Sequence, residues 1–346
     1  MNNNLVKKLA ITATVFTLVV VLLGAFTRLS DAGLGCPDWP GCYNFLHIPT
    51  KAEDIQKANQ AYPERPYEFE KAWPEMVHRY FAGTLGLLVL ALALLSLKNE
   101  DKRARKHSFG LLVLIIFQAA LGMWTVTMKL HPGIVMSHLL GGFATLVLLA
   151  SLSLRYATNF KSSIGIEQQL KYRSFAIFAT VILLIQILLG GWTSANYAAT
   201  VCYELPICQS GWFDAGDFAN AFKLWGHGAE NYEFGILTNE ERIAIHASHR
   251  IGAIVATIVL ALLSYRLIFQ KSCQVLKKFG YLIGVLLVIQ VMLGVFNIVF
   301  QLPLYNAVAH NGVGALLLVA MGLLITKLYL PTSTDTKLKS QEAVGN

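Results

Sequence analysis

The sequence predicts an all-α, polytopic membrane protein whose eight transmembrane helices form two tandem four-helix bundles related by a pseudo-twofold axis. Three observations carry that prediction. The 346 residues are 55% hydrophobic and only 14% charged, with a mean hydropathy of +0.53, whereas a soluble chain runs near one quarter charged. The apolar residues gather in blocks of the length a bilayer requires, about 20 residues at about 1.5 Å each. Finally, features of the first half return in the second at an offset that stays between 166 and 172 residues.

The spans read roughly as 9–27, 75–97, 109–128, 137–155, 175–195, 243–265, 279–300 and 307–328. The first has a long apolar run with no small-residue cleavage site after it, so it reads as an uncleaved anchor rather than a signal peptide. Lys7 and Lys8 precede it. Lys98, Lys102, Arg103, Arg105 and Lys106 follow span two, and Arg155, Lys161, Lys171 and Arg173 lie between spans four and five. Arg266, Lys271, Lys277 and Lys278 separate spans six and seven, and Lys327 closes span eight. All of these fall on one side, which places both termini in the cytoplasm by the positive-inside rule. The net charge of +8 thus sets orientation and is no nucleic-acid signature. The polar tail, residues 331–346, reads as disordered.

Two long loops, about 28–74 and 196–242, face the opposite side, with two short ones near 129–136 and 301–306. Four of the five cysteines lie in the long loops, Cys36 with Cys42 and Cys202 with Cys208. On an oxidising, periplasm-like face both pairs are expected to be disulfides. Cys273, on the reducing side, reads as an inert thiol.

The repeat is parallel, four spans and then four in the same orientation. Gly24-Ala25-Phe26-Thr27 ends span one as Gly190-Gly191-Trp192-Thr193 ends span five. His78-Arg79 matches His249-Arg250, Gln118 with Gly122 matches Gln290 with Gly294, and His138 matches His310. The chain therefore divides into residues 1–160 and 161–330. The second long loop carries extra material, including Trp212-Phe213-Asp214 and Glu230-Asn231-Tyr232-Glu233, in which no motif is legible.

Each half has two histidines on alternate spans, His78 with His138 and His249 with His310, all at the outer ends. Alternate helices of a four-helix bundle face one another across the core, where cofactor sites are built. Two opposed imidazoles suit a haem iron, whereas tetrahedral zinc would need further ligands. Ala82, Gly142, Ala253 and Gly314 lie one turn deeper than each histidine, small enough to clear a flat macrocycle. Arg28, Arg79 and Arg250 are the candidates to meet its propionates. His47, His107, His131 and His227 lack the pattern and read as solvated loop residues. Glu75 shares a helix face with His78 while Arg79 points to the side. A carboxyl group beside a cofactor is a candidate general acid or base. His246 stands in its place in the second half.

With those residues in view, the chain resembles the haem A synthase family, integral membrane enzymes of cytochrome oxidase assembly. The resemblance spans all eight helices. It rests on Gly24-Ala25-Phe26-Thr27-Arg28-Leu29-Ser30, on Cys36-Pro37-Asp38-Trp39-Pro40-Gly41-Cys42, on Glu75-x-x-His78-Arg79, and on His138, His249-Arg250 and His310. It implies that a methyl group on the rim of haem O becomes the formyl group of haem A through two hydroxylations and loss of water. It further implies a resident haem b on His249 and His310, with substrate haem O between His78 and His138. Glu75 would then stand near the reacting methyl, and Cys36 and Cys42 would take part in function. Haem O synthase, cytochrome oxidase assembly factors, an unidentified electron partner and membrane lipid are the implied partners, in a cell inner membrane with the haem sites toward the periplasm. A two-haem carrier between quinol and a periplasmic acceptor fits the same ligands, as does a haem-handling assembly factor.

Overall fold

The computed structural model describes residues 3–98, 102–226 and 228–332. The first four long helices are α1 (Asn3–Leu29), α3 (Phe69–Ser96), α4 (Lys102–Thr127) and α5 (Pro132–Ala157). The second four are α6 (Ile166–Ala195), α8 (Asn239–Phe269), α9 (Gln274–Val299) and α10 (Leu304–Tyr329). These are the eight predicted spans, each long and apolar enough to cross a membrane. Two short helices, α2 (Ala52–Ala61) and α7 (Trp212–Ala215), lie in the long loops. No strand forms among the described residues. The protein is thus an all-helical, multi-pass membrane protein.

The long helices begin several residues before the apolar runs do, and in α5 and α8 a side-chain cap marks that start. Thr238 and Glu241 form a reciprocal capping box that starts α8 four residues ahead of its apolar stretch. The His131 side chain accepts the N–H of Gly133, and Pro132 takes the first position of α5, where its missing N–H costs nothing. The ends of α4 and α9 match one another. Each finishes in two residues of positive φ, Lys129 and Leu130 (45° and 61°) and Gln301 and Leu302 (55° and 62°). That left-handed pair turns the chain sharply into the next helix.

Around the first half, α1 packs on α3, α3 on α4, α4 on α5 and α5 back on α1. The second half closes the same way through α6, α8, α9 and α10. The rings meet where α5 touches α10, with α1 against α10 on one flank and α5 against α6 on the other. This arrangement fits two tandem four-helix bundles about a pseudo-twofold axis. In each ring the two histidine-bearing helices, α3 and α5 or α8 and α10, lie on the diagonal. The packed core of the first ring includes Val20, Leu85, Val89, Leu111 and Leu149. That of the second, which runs into the junction, includes Leu183, Leu260, Ile283 and Leu324.

At the end away from the long loops, Ser162 donates its N–H to the carbonyl of Pro331 and its hydroxyl to that of Lys327, at 2.9 and 2.8 Å. Gln169 holds the carbonyl of Leu330. The first residues of the expected tail are therefore anchored. Residues 333–346 lie outside the described residues.

Candidate functional site

The four histidines take equivalent places in the two rings. His78 on α3 faces His138 on α5 across the first bundle, with ring centres 6.4 Å apart and planes at 88°. His249 on α8 and His310 on α10 lie within electrostatic range of one another in the second. Each sits deep among the helices yet keeps part of its surface accessible, as a side chain lining a space does.

Behind every ring stands a glycine of the neighbouring helix. A methyl group added at Gly24 would come within 2.9 Å of the His78 ring, at Gly122 within 3.4 Å of His138, at Gly190 within 3.0 Å of His249, and at Gly294 within 3.2 Å of His310. These glycines let the backbones of α1, α4, α6 and α9 approach the imidazoles. Clearance thus comes mainly from partner helices. Among the small residues picked out on the histidines' own helices, Gly142 does face open space, whereas a methyl group added at Gly314 would lie 3.3 Å from the Gln290 side chain. The ring nitrogens Nδ1 of His78, His138 and His310 are buried without a well-formed hydrogen bond, although each lies near a backbone carbonyl, that of Val20, Gln118 or Gln290. Contacts of this kind orient a metal-binding imidazole.

The residues suit a haem. Two imidazoles on opposite sides of one metal, with bonds of about 2 Å, put their ring centres roughly 6 Å apart. Among the described residues no three His, Cys, Asp or Glu side chains gather to hold a metal ion. A pair of imidazoles needs a macrocycle to supply the remaining ligands.

Glu75 has a different setting from the one its helix face suggests. Its carboxylate accepts the backbone N–H of Cys36 at 2.9 Å and pairs with Arg79. Arg79 does not point aside. It folds back one turn onto Glu75 and also donates to the carbonyls of Asp38 and Gly41. The loop it grips is closed by the Cys36–Cys42 disulfide. Gly35 packs directly on the backbone of Lys71, where any side chain would collide.

The second half repeats the clamp with a different acceptor. The Cys202 N–H faces His246 Nδ1 at 3.3 Å and the Arg250 Nε–H faces its Nε2 at 3.2 Å, and the ring can accept only one of the two; Arg250 holds the carbonyls of Cys202, Glu204 and Ile207. A Cys202–Cys208 disulfide closes that loop. A carboxylate satisfies two donors at once, while a neutral imidazole has a single acceptor nitrogen, so the second clamp is the weaker. The guanidinium groups assigned to propionates are occupied by backbone carbonyls. Arg28 likewise donates to Ser194 at 2.6 Å and stacks over Tyr197 of the other half.

The extra material of the second long loop forms a strap onto the first half. Glu233 makes a two-point ion pair with Arg65, at 2.8 and 2.7 Å, and Arg65 also donates to the Leu34 carbonyl. Tyr232 donates its N–H to Lys129, and Trp225 stacks on His131 with centres 4.2 Å apart. His131 is therefore a buried anchor, and His107 lies within α4. Neither is a solvated loop residue. His47 is exposed as expected, and His227 lies outside the described residues. Loop contacts between residues so far apart in the chain leave no pattern to read in the sequence.

A sequence profile described as cytochrome oxidase assembly protein (COX15-CtaA) matches residues 7–322, most of the chain. The chain belongs to this family. Within the family it is similar to the haem A synthase of Shewanella oneidensis, 48% identical over 308 residues that cover 89% of this chain and 92% of the relative. The haem A synthase of Caulobacter vibrioides is 26% identical, covering 89% and 91%, and that of Bacillus pumilus 23%, covering 88% and 89%. The four histidines, Glu75, His246 and both cysteine loops fall within the residues the profile matches.

Proposed function

We propose that this chain is a haem A synthase, an oxidoreductase that converts the rim methyl of haem O into the formyl group of haem A. The observation that carries the reading is the pair of diagonal histidine sets, each ring backed by a glycine, in a chain so similar to a haem A synthase. His78 and His138 hold the substrate haem O, and His249 and His310 hold a resident haem b, whose chemistry when bound is one-electron transfer. The halves 1–160 and 161–330 thus differ in task. The protein lies in the cell inner membrane with both termini cytoplasmic and the histidines toward the periplasm.

Taking a methyl to a formyl group removes two electron pairs, so an electron partner is required. Haem O synthase as the donor of substrate and oxidase assembly factors as receivers complete the expected set. Glu75 supplies the difference between the halves. Its carboxyl group, paired with Arg79, stands one helical turn before His78, where the second half has His246. We assign it the proton taken from the water that attacks the oxidised methyl carbon, a role worth roughly 10²- to 10⁴-fold in rate. The Cys36–Cys42 loop holds its carboxylate in place.

Extraction and mass analysis of haems from the purified protein tests this reading. One constitutive haem b with a variable amount of haem O or haem A is expected. Two haem b and neither of the others would instead mark an electron carrier.

A further inference from the structure

The two bundles differ in residue type at a place that touches a histidine. In the second half Gln186 on α6 brings its amide to Nδ1 of His249 at 3.0 Å and to the His249 carbonyl at 3.1 Å. By the repeat offset that joins Gly24 to Gly190, the first-half counterpart of Gln186 is Val20. The space taken by the amide is matched too. Gln186 packs so closely on Gly252 that a side chain there would overlap its oxygen. By the offset that joins His78 to His249, the counterpart of Gly252 is Phe81. Phe81 stacks on Phe16 at 5.3 Å and packs with Val20 in the apolar core. A polar pair, Gln186 over Gly252, thus stands where the first half has an apolar one. A second difference lies at Gln118 and Gln290, which occur in both halves: Gln290 brings its amide nitrogen to Nε2 of His310 at 3.3 Å, whereas the Gln118 amide nitrogen is buried without a partner.

An imidazole that binds a metal through Nε2 carries its proton on Nδ1, and the acceptor of that proton sets its orientation and its basicity. Gln186 stands at that position. Its amide nitrogen faces Nδ1, while its oxygen is buried with no hydrogen-bond partner. Turning the amide over brings the oxygen to Nδ1–H and moves the amide nitrogen to the place the oxygen leaves. The nitrogen gives up its contacts with Nδ1 and with the His249 carbonyl, which the α8 helix already engages, and the oxygen then stands beside that carbonyl. In the first half His78 has only the Val20 carbonyl nearby, short of a full hydrogen bond.

We propose that Gln186 is a positioning residue for His249: it accepts the Nδ1 proton, fixes the ring for Nε2 ligation and strengthens it as a donor. This makes the second site the retentive, lower-potential one, while the apolar Val20–Phe81 pair leaves His78 the weaker, exchangeable ligand. The inference rests on the reading of His249 as a haem ligand. A more basic ligand stabilises the ferric state, so the resident haem is held tightly and at a lower potential.

The test is a potentiometric titration of the purified, haem-loaded protein, followed by visible and electron paramagnetic resonance spectra. Gln186→Leu keeps the size and removes the acceptor. It should raise the midpoint potential of the resident haem, change its low-spin signature and speed its loss to a haem-scavenging protein. Gln186→Glu keeps an acceptor and should hold the potential at or below the wild-type value. A structural role alone would not move the two variants apart in this order. Unchanged potential and spectrum in the Leu variant would overturn the inference, and so would a raised potential in the Glu variant. If the Leu variant does not fold, the Glu variant decides. Wild-type protein without haem on His249 and His310 would instead sink the ligand reading itself.

Discussion

Glu75 and His246 take the same structural place with different chemistry: each lies between the backbone N–H of the first cysteine of its loop and the arginine four residues on, and only the carboxylate can accept from both. Only Glu75 brings a charge. Glu75→Gln retains an oxygen for the Cys36 N–H but loses the ion pair with Arg79. The variant should fold, keep its resident haem and accumulate haem O or its hydroxylated form, with turnover lowered roughly 10²- to 10⁴-fold. Normal haem A production by this variant would reduce Glu75 to a loop clamp.

The ligand assignment is checked by removing one imidazole at a time. His249→Ala or His310→Ala should abolish the low-spin haem b spectrum. His78→Ala or His138→Ala should leave that spectrum and eliminate haem O binding. A resident spectrum that survives in both second-half variants would exclude the assignment.

The glycines behind the rings give a steric test confined to one half at a time. Gly24→Ala places a methyl 2.9 Å from His78, and Gly190→Ala one 3.0 Å from His249. Overpacking of this kind costs about 1–3 kcal/mol. The first variant should lose haem O binding and the second the resident haem. Gly122→Ala, with 3.4 Å to His138, should be milder. Haem analysis of the three proteins reads the order directly.

The two disulfides close short loops, so each should contribute about 2 kcal/mol by the loop-entropy relation. Alkylation with mass mapping should find Cys273 as the one free thiol and both pairs intact. Reduction should loosen the Cys36–Cys42 loop and with it the seat of Glu75. Activity should therefore fall before the resident haem is lost.

The strap has a pH dependence set by its ion pair. The hydrogen bonds from Arg65 hold the Glu233 carboxyl below the usual carboxylate range. A depressed carboxyl group stabilises the folded form above its unfolded value, about 4.3, and that contribution disappears as pH falls through the folded value. Strap docking should be constant near neutrality and weaken only in acid, below about pH 4. Hydrogen exchange at residues 228–237 reads this. Glu233→Gln should show the loosened state at neutral pH, at a cost of about 1 kcal/mol once solvent screening is allowed for.

Much of this protein was legible without a structure, because a bilayer imposes rules on sequence. Eight apolar blocks, the basic residues on one side and the doubled histidine register follow from solvation costs that act on each segment separately. Pairing of Cys36 with Cys42 and of Cys202 with Cys208 was legible because each pair is six residues apart in one loop. Tertiary structure alone decided what those segments do to one another. Helical spacing put Glu75 and His78 on one face, yet Cys36 and Arg79 claim the carboxylate, because a loop about forty residues earlier in the chain folds back onto α3. The sequence marked Gly24 and Gly190 as repeat signposts, while only packing shows that they stand against imidazoles on another helix. Trp225 meeting His131 and Gln186 meeting His249 are likewise contacts between distant segments, chosen by the helix arrangement. No periodicity records them, since each depends on which surfaces the two bundles bring face to face.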